Sequence, residues 1–153
     1  MSIVVDTPAD LPGVVGLTAT GEWFGISQER IALFADATED HQWIHLDPER
    51  AAAGPFGTTI AHGYLTLSLL PHLVLGLLEV GGVAMSVNYG LDKVRFVQPV
   101  PAGSRVRAVT EITSVEASAQ GYRVYSHTTV ELEGSDRPAV VADTIGLFVP
   151  MPS

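Results

Sequence analysis

The chain changes periodicity once, at Gly81-Gly82. Before that pair, apolar residues recur mostly at helical spacing; after it they alternate with polar ones. Residues 1–16 fit neither pattern and are punctuated by Pro8, Pro12, Gly13 and Gly16, so they read as irregular. Thr20 to Ile26 suits a short strand. Ser27 is a fitting N-cap for the helix SQERIALFADAT, which sets Ile31, Phe34 and Ala35 on one face. Glu39 to Leu46 is a polar and aromatic break. A second helix starts at Asp47, with Pro48 at its first position and Glu49 in its first turn, and stops at Gly54-Pro55. A loop over 56–61 follows.

From His62 to Val80 the chain reads HGYLTLSLLPHLVLGLLEV. Leucines at 65, 67, 69, 70, 73, 75, 77 and 78 surround a helix, and a helix apolar all round is buried on most sides. Pro71 predicts a kink in it. Leu65 to Met85 is long enough to cross a bilayer. Pro71, His72, Glu79 and the Gly81-Gly82 break argue instead for a buried helix and a turn, without membrane insertion. Strands are predicted over Ala84–Gly90, Lys93–Phe96, Ser104–Ala117, Gln120–Glu133 and Ala139–Val149, with turns at 98–103 and 134–136. Long antiparallel strands beside one buried helix give the α+β class, the sheet wrapped around the helix.

At 153 residues the chain holds one core of ordinary size, a single domain over 1–153. A hydrophobic fraction of 46% with 16% charged residues excludes intrinsic disorder. The absence of cysteine excludes disulfides, thiol catalysis and cysteine-held metals, and fits a reducing compartment. MSIVVDTPAD lacks the basic start of a secretory signal, so the expected location is cytoplasmic. The net charge of −9 argues against a nucleic-acid partner. Residues 1–80 carry ten acids and two bases; residues 81–153 carry seven acids and six bases. The second half can therefore still offer a small polyanion a local site.

Chemistry is concentrated in the histidines. His41 and His45 are four apart, a spacing that holds zinc on a helix. The intervening Gln-Trp-Ile lacks the catalytic glutamate of H-E-x-x-H, and the helix start at Asp47 argues that 41–45 is not mid-helix, so no metal is expected. Asp40 and His45 suit another task. Within one connection they can converge on a water that donates to the carboxylate and is activated by a neutral imidazole. The same two residues equally suit a helix cap and a buried histidine satisfying the backbone. His62-Gly63 opens the apolar helix, where free backbone N–H groups can meet a ligand oxygen and glycine permits close approach. His72 and His127 fall in helix and strand patterns and read as structural.

The stretch Phe34-Ala-Asp-Ala-Thr-Glu-Asp40-His-Gln-Trp-Ile-His45-Leu-Asp-Pro-Glu-Arg50-Ala, with Pro55-Phe-Gly and Ile60-Ala-His-Gly63, resembles the MaoC-like (R)-specific enoyl-CoA hydratases in their short single-domain form. Asn88-Tyr-Gly-Leu-Asp-Lys-Val-Arg-Phe96 and Pro99-Val-Pro-Ala-Gly103 extend the likeness over nearly the whole chain. One departure is Gln42-Trp43, where many members have asparagine-proline. The resemblance implies a hotdog fold, an antiparallel sheet around a long central helix, and a homodimer. It implies a catalytic dyad on Asp40 and His45, and a thioester carbonyl held by backbone N–H near Gly63, with His62 and Tyr64 beside the substrate. Lys93 and Arg95, with Arg105 and Arg107 as further candidates, would meet the phosphates of coenzyme A. The implied reaction is reversible addition of water to a trans-2-enoyl-CoA, giving an (R)-3-hydroxyacyl-CoA. No cofactor is called for, coenzyme A being part of the substrate. An acyl-CoA thioesterase and a non-catalytic acyl-thioester or lipid-binding hotdog protein are the alternatives.

Overall fold

The computed structural model describes residues 1–153. Its largest element is an antiparallel sheet in the order β2-β6-β7-β8-β5, with β3 also pairing β6. The strands are β2 (Thr18–Thr20), β3 (Phe24–Gly25), β5 (Val83–Phe96), β6 (Arg105–Ser118), β7 (Gly121–Leu132) and β8 (Pro138–Pro150). The helices are α1 (Gln28–Thr38), α2 (Trp43–Leu46), α3 (Pro48–Ala52), α4 (Gly63–Ser68) and α5 (Leu70–Leu73). The sheet curls over α4 and α5, the hotdog arrangement of the α+β class. Leu65, Leu70 and Leu73 pack with Val106, Ala108, Val130 and Val140 of the sheet and with Ile26 and Ile31 from the other side.

Local chemistry explains most boundaries. Ser27 Oγ accepts from the Arg30 N–H at 3.1 Å, and Asp47 Oδ1 accepts from the Arg50 N–H at 3.1 Å, so both predicted caps start helices. α1 ends where Glu39 turns left-handed at φ 66°. The strands predicted at Ala84–Gly90 and Lys93–Phe96 are one strand, β5. Its pairing with β8 shifts register between Asn88 and Gly90 and between Leu91 and Lys93, which accounts for the apparent break.

The long central helix is shorter than expected. Pro71 has no N–H to donate to the Leu67 carbonyl, and the helical trace divides at Leu69 into α4 and α5. Gly76 then turns left-handed at φ 78°. Leu78–Val80 forms not a helix but a strand, β4, paired in parallel with β1 (Ile3–Val5). The segment is also not enclosed on every side, since Tyr64 and Leu75 are exposed. Nor is the N-terminal stretch irregular: β1 leads into a 3-10 helix over Pro8–Val14 whose Thr7 and Asp10 cap each other. The partner strand, 75 residues away from β4 in register, is invisible to a local pattern. No helix is long and apolar enough to cross a membrane.

Gly121 shows how tightly the sheet is drawn at its hairpin end. Its φ is +149°, and a Cβ there would run into the Phe148 carbonyl of β8. Gly121→Ala should cost about 1–3 kcal/mol, and at roughly 2–4 °C per kcal/mol the melting temperature should drop by several degrees. An unchanged thermal unfolding curve would contradict this packing.

Candidate active site

Three short segments converge at one end of the helical layer. The loop after α1 carries Asp40, α2 carries His45, and the turn before α4 carries His62. Donor atoms of all three lie within 4.8 Å of one another. Asp40 is half exposed, whereas His45 and His62 are buried, at 6% and 2% relative exposure.

The protonation of His45 follows from its partner. Nδ1 lies 2.7 Å from the Ile60 carbonyl, which can only accept, so Nδ1 carries the hydrogen and Nε2 presents a lone pair. That Nε2 is 4.0 Å from Asp40 Oδ2. The gap is too wide for a direct hydrogen bond and right for one water touching both atoms. Burial pushes the His45 pKa below its usual 6.5. The Ile60 bond and the Asp40 charge pull it up and His62 pushes it down, but burial prevails. Near neutral pH the imidazole is therefore an uncharged base. Its main chain is held as well: the Gln28 amide donates to the His45 carbonyl at 2.7 Å, and Thr59 Oγ donates to the Gln28 oxygen at 2.5 Å.

His62, grouped with the substrate-binding residues in the sequence, packs beneath the dyad. Its Nε2–H donates to the Asp40 carbonyl at 2.9 Å, and its ring stacks on His45 at 3.8 Å with 24° between planes. Phe34 closes the other side at 5.0 Å. Stacked imidazoles hold their in-plane lone pairs side by side rather than converging, and one His62 nitrogen is already engaged. The triad thus suits a bound water better than a metal cage. His41 stands apart, its ring bonded to Asp36 at 3.0 Å.

Gly63 and Tyr64 lead α4, whose first N–H groups have no partner inside the helix. A Cβ on Gly63 would lie 3.1 Å from the Phe96 ring, so glycine lets the end of β5 close over the helix start. Tyr64 is exposed and meets Phe96 edge-on at 5.7 Å. Lys93 and Arg95 lie just upstream of Phe96 on β5, both exposed, Arg95 bonding the carbonyl of its own neighbour Val94 at 2.8 Å. Arg105 and Arg107 already face acids, Glu133 at 2.7 Å and Glu131 at 2.6 Å, and Arg107 also stacks over Trp23.

A cavity of about 710 Å³ lies between the helical segment and the sheet. Leu67, Leu70, Pro71 and Val74 form one wall, and strands β5 to β8 form the other through Leu91, Ile112, Val124 and Phe148. Its size falls within the roughly 300–1,000 Å³ of small-molecule sites. The sequence pairs Asp40 with His45 but gives no sign of the support from Gln28, Thr59 and Ile60. A polar Gln28-to-Thr59 link and a backbone carbonyl carry no sequence signal of that role.

The family model described as "MaoC like domain" matches residues 15–133. A Mycobacterium tuberculosis protein named 3-hydroxyacyl-thioester dehydratase Z is 54% identical over 146 residues, covering 94% of this chain and 97% of that one. Nodulation protein N of Rhizobium leguminosarum is 46% identical, over 92% of this chain and 89% of that one. Among solved structures, an unliganded R-hydratase from Pseudomonas aeruginosa superposes with a TM-score of 0.72 at 26% identity, over 90% of this chain and 83% of that one.

The geometry yields a titration test. Since the Asp40 charge raises the His45 pKa, Asp40→Asn should lower it further below 6.5. Proton NMR of the His45 ring across pH is the measurement, and an upward shift would refute the electrostatic assignment.

Proposed function

The chain belongs to the MaoC-like domain family, and we propose from that premise that it is a hydro-lyase acting on 3-hydroxyacyl thioesters. More finely, it adds water reversibly to trans-2-enoyl-CoA to give (R)-3-hydroxyacyl-CoA. The observation that carries this reading is the Asp40 carboxylate set 4.0 Å from a lone-pair-bearing nitrogen of a buried, uncharged His45. Such a pair can hold one water by both hydrogens and leave its oxygen free to attack.

In the forward direction the water oxygen bonds to the β-carbon, and the π-electrons shift toward the thioester. Between them, Asp40 and His45 take one proton from the water and deliver one to the α-carbon, so the site ends as it began. Charge developing on the thioester oxygen is met by backbone N–H at Gly63. The acyl chain occupies the cavity beneath Leu67 and Val74, and the coenzyme A phosphates lie toward Lys93 and Arg95. Arg105 and Arg107 are poorer phosphate partners because their acids already neutralise them. His62 serves by holding Asp40 and the His45 ring in place. Each step is served by carboxylate, imidazole and amide, so the reaction needs no cofactor.

The protein works as a homodimer in the cytoplasm. β5 is the sheet edge next to β8, and its Met85, Val87, Tyr89 and Leu91 are exposed. A long edge with apolar side chains invites pairing, and a second copy brings the same unpaired edge. Light scattering should give a dimer at micromolar concentration, and Met85→Lys with Tyr89→Lys should shift the mass toward the monomer. A monomeric wild type would sink this part of the reading.

The catalytic test uses crotonyl-CoA. Asp40→Asn and His45→Gln should each lower turnover roughly a hundred- to ten-thousand-fold. The double variant should be little worse than either single one, as expected of groups acting on one water. Release of free thiol would indicate a thioesterase. Near-wild-type hydration by either folded variant would overturn the dyad.

A further inference from the structure

Resting on the reading of the cavity as an acyl site, we propose that the N-terminal segment Ile3–Val14 is the end wall of that cavity. Ile3 is the side chain that sets how long an acyl group is accepted.

The segment precedes the span matched by the family model, which begins at residue 15, yet it is firmly built in. The Ile3 N–H donates to the Leu77 carbonyl at 2.8 Å, Ser2 Oγ to the Gly76 carbonyl at 2.5 Å, and the Gly81 N–H to the Val5 carbonyl at 3.0 Å. Ile3, Val5, Leu11 and Val14 are buried in a cluster of their own with Ala19, Leu77, Ile112 and Val124. Ile3, Leu77, Ile112 and Val124 of that cluster also line the cavity. One face of the cluster is thus a cavity wall.

The position of this wall follows from the chain. From α4 to β4 the lining runs from Leu67, five residues past His62, to Leu78, the register partner of Ile3. Ile3 thus lines the cavity beside β4, the part of this run farthest along the chain from His62. No charged residue lines the cavity, so that end suits hydrocarbon and not a phosphate-bearing headgroup. An apolar pocket discriminates by roughly 10–200-fold per methylene that it accepts or rejects. One side chain at the end of the pocket can therefore decide the limit.

The test is calorimetric affinity for saturated acyl-CoAs from butyryl to tetradecanoyl, beside kcat/KM for the matching enoyl-CoAs. In the wild type, affinity should rise with length and then stop. Ile3→Ala should move that limit to longer chains and Ile3→Trp to shorter ones, each changing the affinity ratio at the limit about tenfold or more. Leu78→Ala probes the same wall should either variant fail to fold, with thermal unfolding as the check. An unmoved limit in the folded variants overturns the proposal, as does a wild-type affinity independent of length. A limit moved by Ile3→Ala in a protein that hydrates nothing supports the wall and refutes the hydratase reading alone.

Discussion

The hydrogen bond from the His45 ring to the Ile60 carbonyl, 2.7 Å long, ties the site to the whole fold. Residues 59–61 are the seam between α2 and the connection from β5 to β6. The Ile60 N–H donates to the Ile44 carbonyl at 3.0 Å, the Ala61 N–H to the Val100 carbonyl at 2.8 Å, and the Ala102 N–H to the Thr59 carbonyl at 2.9 Å. The imidazole is thus oriented by main chain that is itself held by α2 on one side and by the connection from β5 to β6 on the other. Because the carbonyl can only accept, one contact selects the tautomer, aims Nε2 at Asp40 and leaves burial to keep the ring uncharged.

The core divides in two around the cavity. At the dyad end, Leu65, Leu70 and Leu73 pack on Val106, Val130 and Val140; at the far end, Leu11, Val14 and Leu77 pack on Ile112 and Val124. Where the clusters meet, the helical segment and the sheet stand apart, leaving a half-open cleft of about 710 Å³ with the exposed Leu75 and Leu91 at its lip. Small residues on the sheet side, Gly90, Ser126, Thr128, Thr144 and Gly146, keep the space open. Thr110 and Thr128 satisfy one another's hydroxyls at 2.8 Å, so the polar atoms there carry little desolvation cost. The leucine-rich run therefore supplies both a core and a cavity wall.

Charge is distributed to match. Arg105 and Arg107 are spent on cross-strand acids in the sheet. Lys93 and Arg95 stay exposed on the edge strand that reaches Phe96 and the start of α4. In a chain of net charge −9, two exposed cations on the strand that also supplies Leu91 to the cavity act through position rather than number.

Much of this was legible in the residues alone, because the forces involved are local. Ser27 and Asp47 announce helix starts through side-chain caps, alternation after Gly82 announces the long strands, and Asp40 and His45 share one short connection. Other features depended on partners distant in sequence. Leu78–Val80 continues the leucine-rich run and became a strand because Ile3–Val5 came alongside to take its hydrogen bonds. The packing of His62 under His45 and against the backbone of Asp40 joins residues 17 and 22 positions apart and has no local signal. Side-chain type and spacing determined which groups could do chemistry. The tautomer of His45, its lowered pKa, its 4.0 Å gap to Asp40 and the walls of the cavity were decided by tertiary contacts, since desolvation and backbone hydrogen bonding exist only once the chain is packed.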